Sequence, residues 1–178
     1  MPEHLLLVGM MGAGKSTVGR LVAARLGRPH VDVDAEVERH AGVSVPAVFA
    51  AGGEAAFRRM ESEVLAEVLG GEAPAVVSVG GGAVLDAANR AAIAGAGTVV
   101  WLRARPATLA RRIGRGDERP LLAADPAGPA AALARIDAER RGLYGEVATE
   151  VVDVDGLAPD EVADRVLAVV GVSGEGRR

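Results

Sequence analysis

Gly9-Met10-Met11-Gly12-Ala13-Gly14-Lys15-Ser16 decides the fold. The octet fills every defined position of G-x-x-x-x-G-K-[ST], and it stands where that pattern has physical meaning. The apolar run His4–Val8 before it predicts a buried strand. The residues after it predict a helix running to about Leu26, with Val18, Leu21, Val22 and Leu26 on one face and Gly27 as its stop. In that setting the glycines let backbone N–H groups of Gly12, Ala13, Gly14 and Thr17 turn toward phosphate oxygens, and the helix N-terminus adds the positive end of its dipole. Lys15 reaches the outer phosphates and the Ser16 hydroxyl suits Mg²⁺. Lys15 is also the only lysine beside 19 arginines, so the position calls for a compact ammonium on a flexible stem.

Working outward, apolar strands alternate with helical patterns. Residues 30–33 predict a second strand and 35–40 a short helix; Ser44 can cap another through Phe49. Gly52-Gly53 breaks the chain before an amphipathic helix over 54–69. Strands follow at 75–79, 98–102 and 150–154, with helices at 86–94, at 106–113, within 128–142 and at 159–170. This order predicts one α/β domain, a parallel sheet covered by helices on both faces. The approximate sub-regions are a phosphate loop at 9–17, an acceptor region at 33–61, a mobile lid at 114–126 and a frayed tail at 171–178.

Composition narrows the function. The 178 residues carry 24 acidic and 20 basic side chains, for a net charge of −4. Only 2% are aromatic, which argues against a nucleic-acid binder with its basic face and stacking platforms. A mean hydropathy of +0.23 and apolar runs shorter than the about 20 residues of a membrane span predict a soluble cytoplasmic protein. The absence of cysteine excludes thiol chemistry and a disulfide scaffold. Length and charge are compatible with a monomer, and a small molecule is the expected partner, with no nucleic acid and no membrane.

Other residues suit phosphoryl-transfer chemistry. No carboxylate ends the strand Val76-Val77-Ser78-Val79, so an acid for the metal must come from elsewhere. Asp32 and Asp34, read as the carboxyl end of the second strand and pointing to one face, are the candidates. Arg58 and Arg59 fit either a clamp on carboxylate or phosphate or a solvated helix face, with Glu61 and Glu63 as helical partners. Gly80-Gly81-Gly82 is a strand-to-helix turn or a backbone surface for substrate. Arg111, Arg112, Arg115 and Arg119 surround a glycine-flanked segment suited to a lid that brings positive charge onto a transferring group. Phe49 and Phe57 are core or pocket wall, Trp101 is core, and His4, His30 and His40 share no metal-ligand spacing.

Taken together, the phosphate loop, Asp32-Val33-Asp34, Phe49 with Gly53-Glu54 and Phe57-Arg58, the triple glycine, Arg119-Pro120-Leu121-Leu122 and Arg140-x-x-Leu143-Tyr144 resemble the shikimate kinases over residues 4 to about 170. The resemblance implies a three-layer P-loop kinase fold with five parallel strands in order 2-3-1-4-5. It implies transfer of the γ-phosphoryl group of ATP, with Mg²⁺, to the 3-hydroxyl of shikimate, in aromatic amino-acid biosynthesis. Lys15, Asp34 and Arg119 would be catalytic. Asp34, Arg58, Gly81, Gly82 and Arg140 would bind shikimate, and Ser16 and Asp32 would hold the metal. Residues 12–17 with Arg112, Arg119 and Pro159 would bind ATP. Leu157 stands where many relatives carry a polar or basic residue near the adenine. The competing readings are a gluconate or nucleoside monophosphate kinase and a nucleotide-binding regulator without turnover.

Overall fold

Five strands form one parallel sheet in the order β2-β3-β1-β4-β5, as expected. They are β1 (His4–Val8), β2 (His30–Asp32), β3 (Val76–Ser78), β4 (Gly97–Arg103) and β5 (Glu150–Asp153). The computed structural model describes residues 3–113, 120–123 and 125–175. Strand β1 lies at the centre, paired with β3 through Leu5–Val76, Leu6–Val77 and Leu7–Ser78 and with β4 through five residue pairs from His4–Gly97 to Val8–Trp101. All five of its residues are buried, which requires cover on both faces and explains why this strand is an unbroken apolar run.

The cover comes from α1 (Lys15–Leu26), α2 (Val33–Ala41), α3 (Val45–Leu69), α4 (Ala87–Gly95), α5 (Pro106–Ile113), α6 (Pro120–Ala123), α7 (Pro129–Val147) and α8 (Pro159–Glu175). Helix α1 packs on α8, α2 on α3, and α4 and α5 on α7. Val18 and Val22 of α1, Val64 and Leu65 of α3 and Leu133 and Ile136 of α7 meet the buried strand residues in one continuous core.

Most expected boundaries coincide with those observed, and three differ in ways that matter. Helix α2 starts at Val33 instead of residue 35, because the Asp32 side chain accepts from the Asp34 and Ala35 N–H groups and caps the helix at the last residue of the strand. Asp34 therefore stands in the first turn of a helix and not on a strand, and the expected strand alternation does not apply to it. Helix α7 runs on to Val147, and α8 passes Gly171 to Glu175, so the tail expected from 171 begins inside a helix. The break in α3 is where it was expected: Gly53 has φ 72° and ψ −176°, a positive-φ conformation that costs glycine little and kinks the helix there.

Because every strand runs the same way, the segments after β1, β2 and β3 emerge at one end of the sheet. That end is where open α/β sheets bind ligands.

Candidate active site

The phosphate loop closes on itself before any ligand is considered. Gly14 caps α1 in the left-handed conformation, φ 97°, with no side chain to occupy the space ahead of the helix N-terminus. Lys15 Nζ donates to the Gly9 and Met10 carbonyls at 2.8 and 3.0 Å, which bends the ammonium back over the loop. Ser16 Oγ donates to Asp32 Oδ2, while Asp32 Oδ1 is engaged at the start of α2. The hydroxyl and the carboxylate proposed for the metal thus sit side by side on two different elements, the second fixed by its capping role.

Beneath the loop, Ser78 takes the strand-end place where a carboxylate is missing. Its hydroxyl donates to the Lys15 carbonyl at 2.9 Å and so accepts from His30 Nε2, also at 2.9 Å. Burial pushes the His30 imidazole below its ordinary value, against the pull of the Asp32 carboxylate. Gly19 of α1 lies directly on this pair: a Cβ there would come within 2.6 Å of His30 Nε2 and 2.7 Å of Ser78 Oγ. His30 therefore supports the P-loop from below, and His4 is a core residue, accepting from the Ala75 N–H at Nδ1 and bonding the Leu69 carbonyl through Nε2.

A cavity of 1210 Å³ extends from the loop across to α2, α3 and α7. On its far side stand two guanidinium groups. Arg58 donates to Glu61 Oε2 at 2.6 Å and more weakly to Glu54 at 3.4 Å, stacks 5.1 Å from the centroid of the Phe57 ring, and rests on Gly82, where any Cβ would collide with it. Arg140, only 3% exposed, comes from α7 and also lines the cavity; its Nε has no hydrogen-bond partner among the described residues. Its neighbour Arg141 instead pairs with the buried Asp137 at 2.9 Å and does not line the cavity. Arg140 is thus turned to the cavity, whereas Arg59 is exposed to solvent.

The anions around these cations are few. Glu61 is 1% exposed, and burial raises its carboxyl above the ordinary range in spite of the Arg58 guanidinium, with Asp34 raising it further. Glu61 Oε1 and Asp34 Oδ1 both approach Gly80, where a Cβ would meet them. The triple glycine is therefore a tight seam: Gly80 against two carboxylates, Gly82 against Arg58, and Gly81 against the Gly9 carbonyl and the Met11 N–H, with its own carbonyl accepting from Tyr144 Oη at 2.6 Å. Phe49 and Phe57, their ring centroids 4.8 Å apart, are both core and pocket wall, since the stacked pair borders the cavity.

At the opposite end, Arg112 of α5 donates to four backbone carbonyls, Gly12, Ala13, Val154 and Leu157, at 3.2 to 3.4 Å. It staples the phosphate loop to the turn before α8, where Leu157 and Pro159 line the cavity. That wall presents apolar surface and backbone to the cavity.

The structure thus brings residues 12–17, Asp32, Asp34, Arg58, Gly81, Gly82, Arg112, Arg140 and Pro159 to one cavity. Arg119 and Arg115 lie outside the described residues, as do the rest of 114–119 and residue 124 of the 114–126 lid; α6, within that segment, contributes Pro120 and Leu121 to the cavity. Two residues went unassigned in the sequence. Glu61 carried a signal, its i,i+3 spacing from Arg58, but an exposed pair was as good a reading. Tyr144 carried none beyond its place in the Arg140 segment, because its partner is 63 residues away.

A Walker-type loop on β1 and α1, a carboxylate beside its serine, and a pocket lined by two guanidinium groups define an ATP-dependent small-molecule kinase of the P-loop class. The family described as "Shikimate kinase" matches residues 11–171. The chain is 45% identical over 175 residues to a shikimate kinase of Symbiobacterium thermophilum, covering 97% of this chain and 98% of that one. It is 45% identical over 168 residues to a shikimate kinase of Ruegeria pomeroyi, covering 94% and 85%. Among solved structures it resembles the shikimate kinase from Acinetobacter baumannii in complex with shikimate, with a TM-score of 0.91, 36% identity and coverage of 97% and 95%. The chain belongs to the shikimate kinase family.

Proposed function

We propose that this chain transfers the γ-phosphoryl group of ATP to the 3-hydroxyl of shikimate, giving shikimate 3-phosphate and ADP, and that the residues around the cavity divide this work. The observation that carries the reading is the pairing of Arg58 and Arg140 across the cavity from the phosphate loop. Two guanidinium groups, one of them with a buried unpaired N–H, suit a carboxylate held by parallel hydrogen bonds. That anchor leaves the ring hydroxyls of the acceptor toward Asp34 and the loop.

Each residue then has a task. Asp34 orients the acceptor hydroxyl and takes its proton late, since a loose phosphoryl transition state asks little of a base. Lys15 moves from the Gly9 and Met10 carbonyls to phosphate oxygens and neutralises developing charge, and Arg119 does so from the lid side. The N–H groups of residues 12–17 hold the phosphates, and Gly81 and Gly82 present backbone to the acceptor. Arg112 and the Pro159 turn flank the adenine. Two hard oxygen donors, Ser16 Oγ and Asp32 Oδ2, fit Mg²⁺, and no cluster of three or more carboxylate or imidazole groups competes for it among the described residues. Bound there, Mg²⁺ would screen charge on the phosphate oxygens. Closure of 114–126 would exclude water from the reaction. One chain supplies both sides of the cavity, which supports a monomer as the working unit, acting in the cytoplasm where ATP is at hand.

The test is ADP release with MgATP and shikimate, gluconate, AMP or no acceptor. Stimulation by shikimate alone is expected. Equal stimulation by gluconate or AMP would overturn the acceptor assignment, and nucleotide binding without stimulated turnover would make the chain a regulator.

A further inference from the structure

We propose that Tyr144 is a positioning residue for the acceptor, the strut that sets the Gly81-Gly82 backbone at its distance from the Arg140 guanidinium and the phosphate loop; this rests on the acceptor reading above. The hydroxyl is fully buried and donates at 2.6 Å to the Gly81 carbonyl. On its other side Gly81 abuts the loop, with the Gly9 carbonyl 3.3 Å and the Met11 nitrogen 3.5 Å from where its Cβ would be. The turn is thus held between α7 and the phosphate loop, and Tyr144 is the contact that fixes it on the α7 side. Arg140 stands four residues earlier on the same helix, so one rigid element carries both the guanidinium and the strut. The ring is braced by Trp101 of β4, with centroids 5.8 Å apart. Burial raises the hydroxyl to about 12, against the charge of Arg140 and a hydrogen bond from its guanidinium, so it remains a donor to Gly81 throughout the working pH range.

A group that only filled core volume would not need its oxygen. Tyr144→Phe keeps the ring and its packing on Trp101 while removing the donor, leaving the Gly81 carbonyl short of a partner. Losing one buried hydrogen bond of this kind predicts a rise of about tenfold in the shikimate KM. The MgATP KM should stay within about twofold, because the nucleotide is held by the loop and not by the turn. Trp101→Phe, which removes the brace and keeps the hydroxyl, should lower the melting temperature without that selective rise. A Tyr144→Phe enzyme with a lower melting temperature and a wild-type shikimate KM would overturn the proposal.

A second measurement needs no variant. Tyr144 is the only tyrosine, so fluorotyrosine incorporation labels this one site. Its ¹⁹F resonance should shift with saturating shikimate and stay in place with MgADP alone; a resonance indifferent to shikimate would also overturn the proposal. If the unmodified chain shows no shikimate-stimulated turnover, the acceptor reading itself fails and this one with it. Failure of Tyr144→Phe beside a working parent enzyme removes the strut alone.

Discussion

Truncation of Arg140 is the most direct probe of the acceptor pocket. In the folded chain its guanidinium is 3% exposed and its Nε lacks a partner among the described residues, so much of the cost of taking this charge out of water is already met before substrate arrives. The acceptor carboxylate would then recover interaction without a new desolvation of the arginine. Removing one partner of such a buried charge pair costs about 2–5 kcal/mol of binding. At about 1.4 kcal/mol per tenfold, the shikimate KM of Arg140→Ala should rise at least about 30-fold. Stability should move less than binding, since the deletion also removes a buried charge whose Nε has no partner among the described residues. Arg141→Ala is the contrast. Its partner Asp137 is buried and would be left without its guanidinium, so Arg141→Ala should cost about 1–3 kcal/mol of stability and leave the shikimate KM alone. The assay is steady-state ADP release with varied shikimate at saturating MgATP, paired with thermal melts of both variants. A shikimate KM for Arg140→Ala within threefold of about the parent value would refute the pocket argument, whatever the melts show.

Arg119→Ala, from the lid segment, should lower kcat by about 10³-fold while changing both KM values less, read by the same assay at saturating substrates. Gly19→Ala should destabilise the fold by about 1–3 kcal/mol, because the new methyl would press on His30 and Ser78; denaturant unfolding checks it, and an unchanged midpoint would contradict the packing described. The half-buried His30 imidazole, lowered from its ordinary 6.5, binds its proton less readily in the folded chain than in the unfolded one. Its contribution to stability is therefore present above pH 6.5 and is lost as pH falls through the lowered native value, so melts between those limits should slope downward in the parent and less in His30→Gln.

The phosphate side of the site was legible because it is local. Nine consecutive residues carry loop, lysine and serine, and the strand and helix around them follow from the apolar spacing of residues 4–8 and 18–26. The sheet order was anticipated through the resemblance, and pairing of β1 with β3 and β4 bears it out. Asp34 shows where alternation misled. Reading Asp32-Val33-Asp34 as strand ignored that an aspartate at a strand end is also a helix cap, and the cap won because it satisfies two N–H groups of α2.

The acceptor side was legible only in fragments, and the reason is topological. Arg58 comes from α3, Gly81 and Gly82 from the segment after β3, Arg140 and Tyr144 from α7, and Asp34 from α2. No short window contains two of these elements, so residue types alone cannot separate Arg140 from Arg141 or Arg58 from Arg59. Placement separates them: within each adjacent pair one guanidinium is turned to the cavity, and the other to solvent (Arg59) or to Asp137 on its own helix (Arg141). On a helix, neighbouring residues differ by about 100° in direction, so a single position decides between a substrate ligand and a surface charge. The same geometry places Arg140 and Tyr144 four residues apart on one face of α7, so a single rigid element would tie the cation proposed for the acceptor to the strut proposed for the glycine turn.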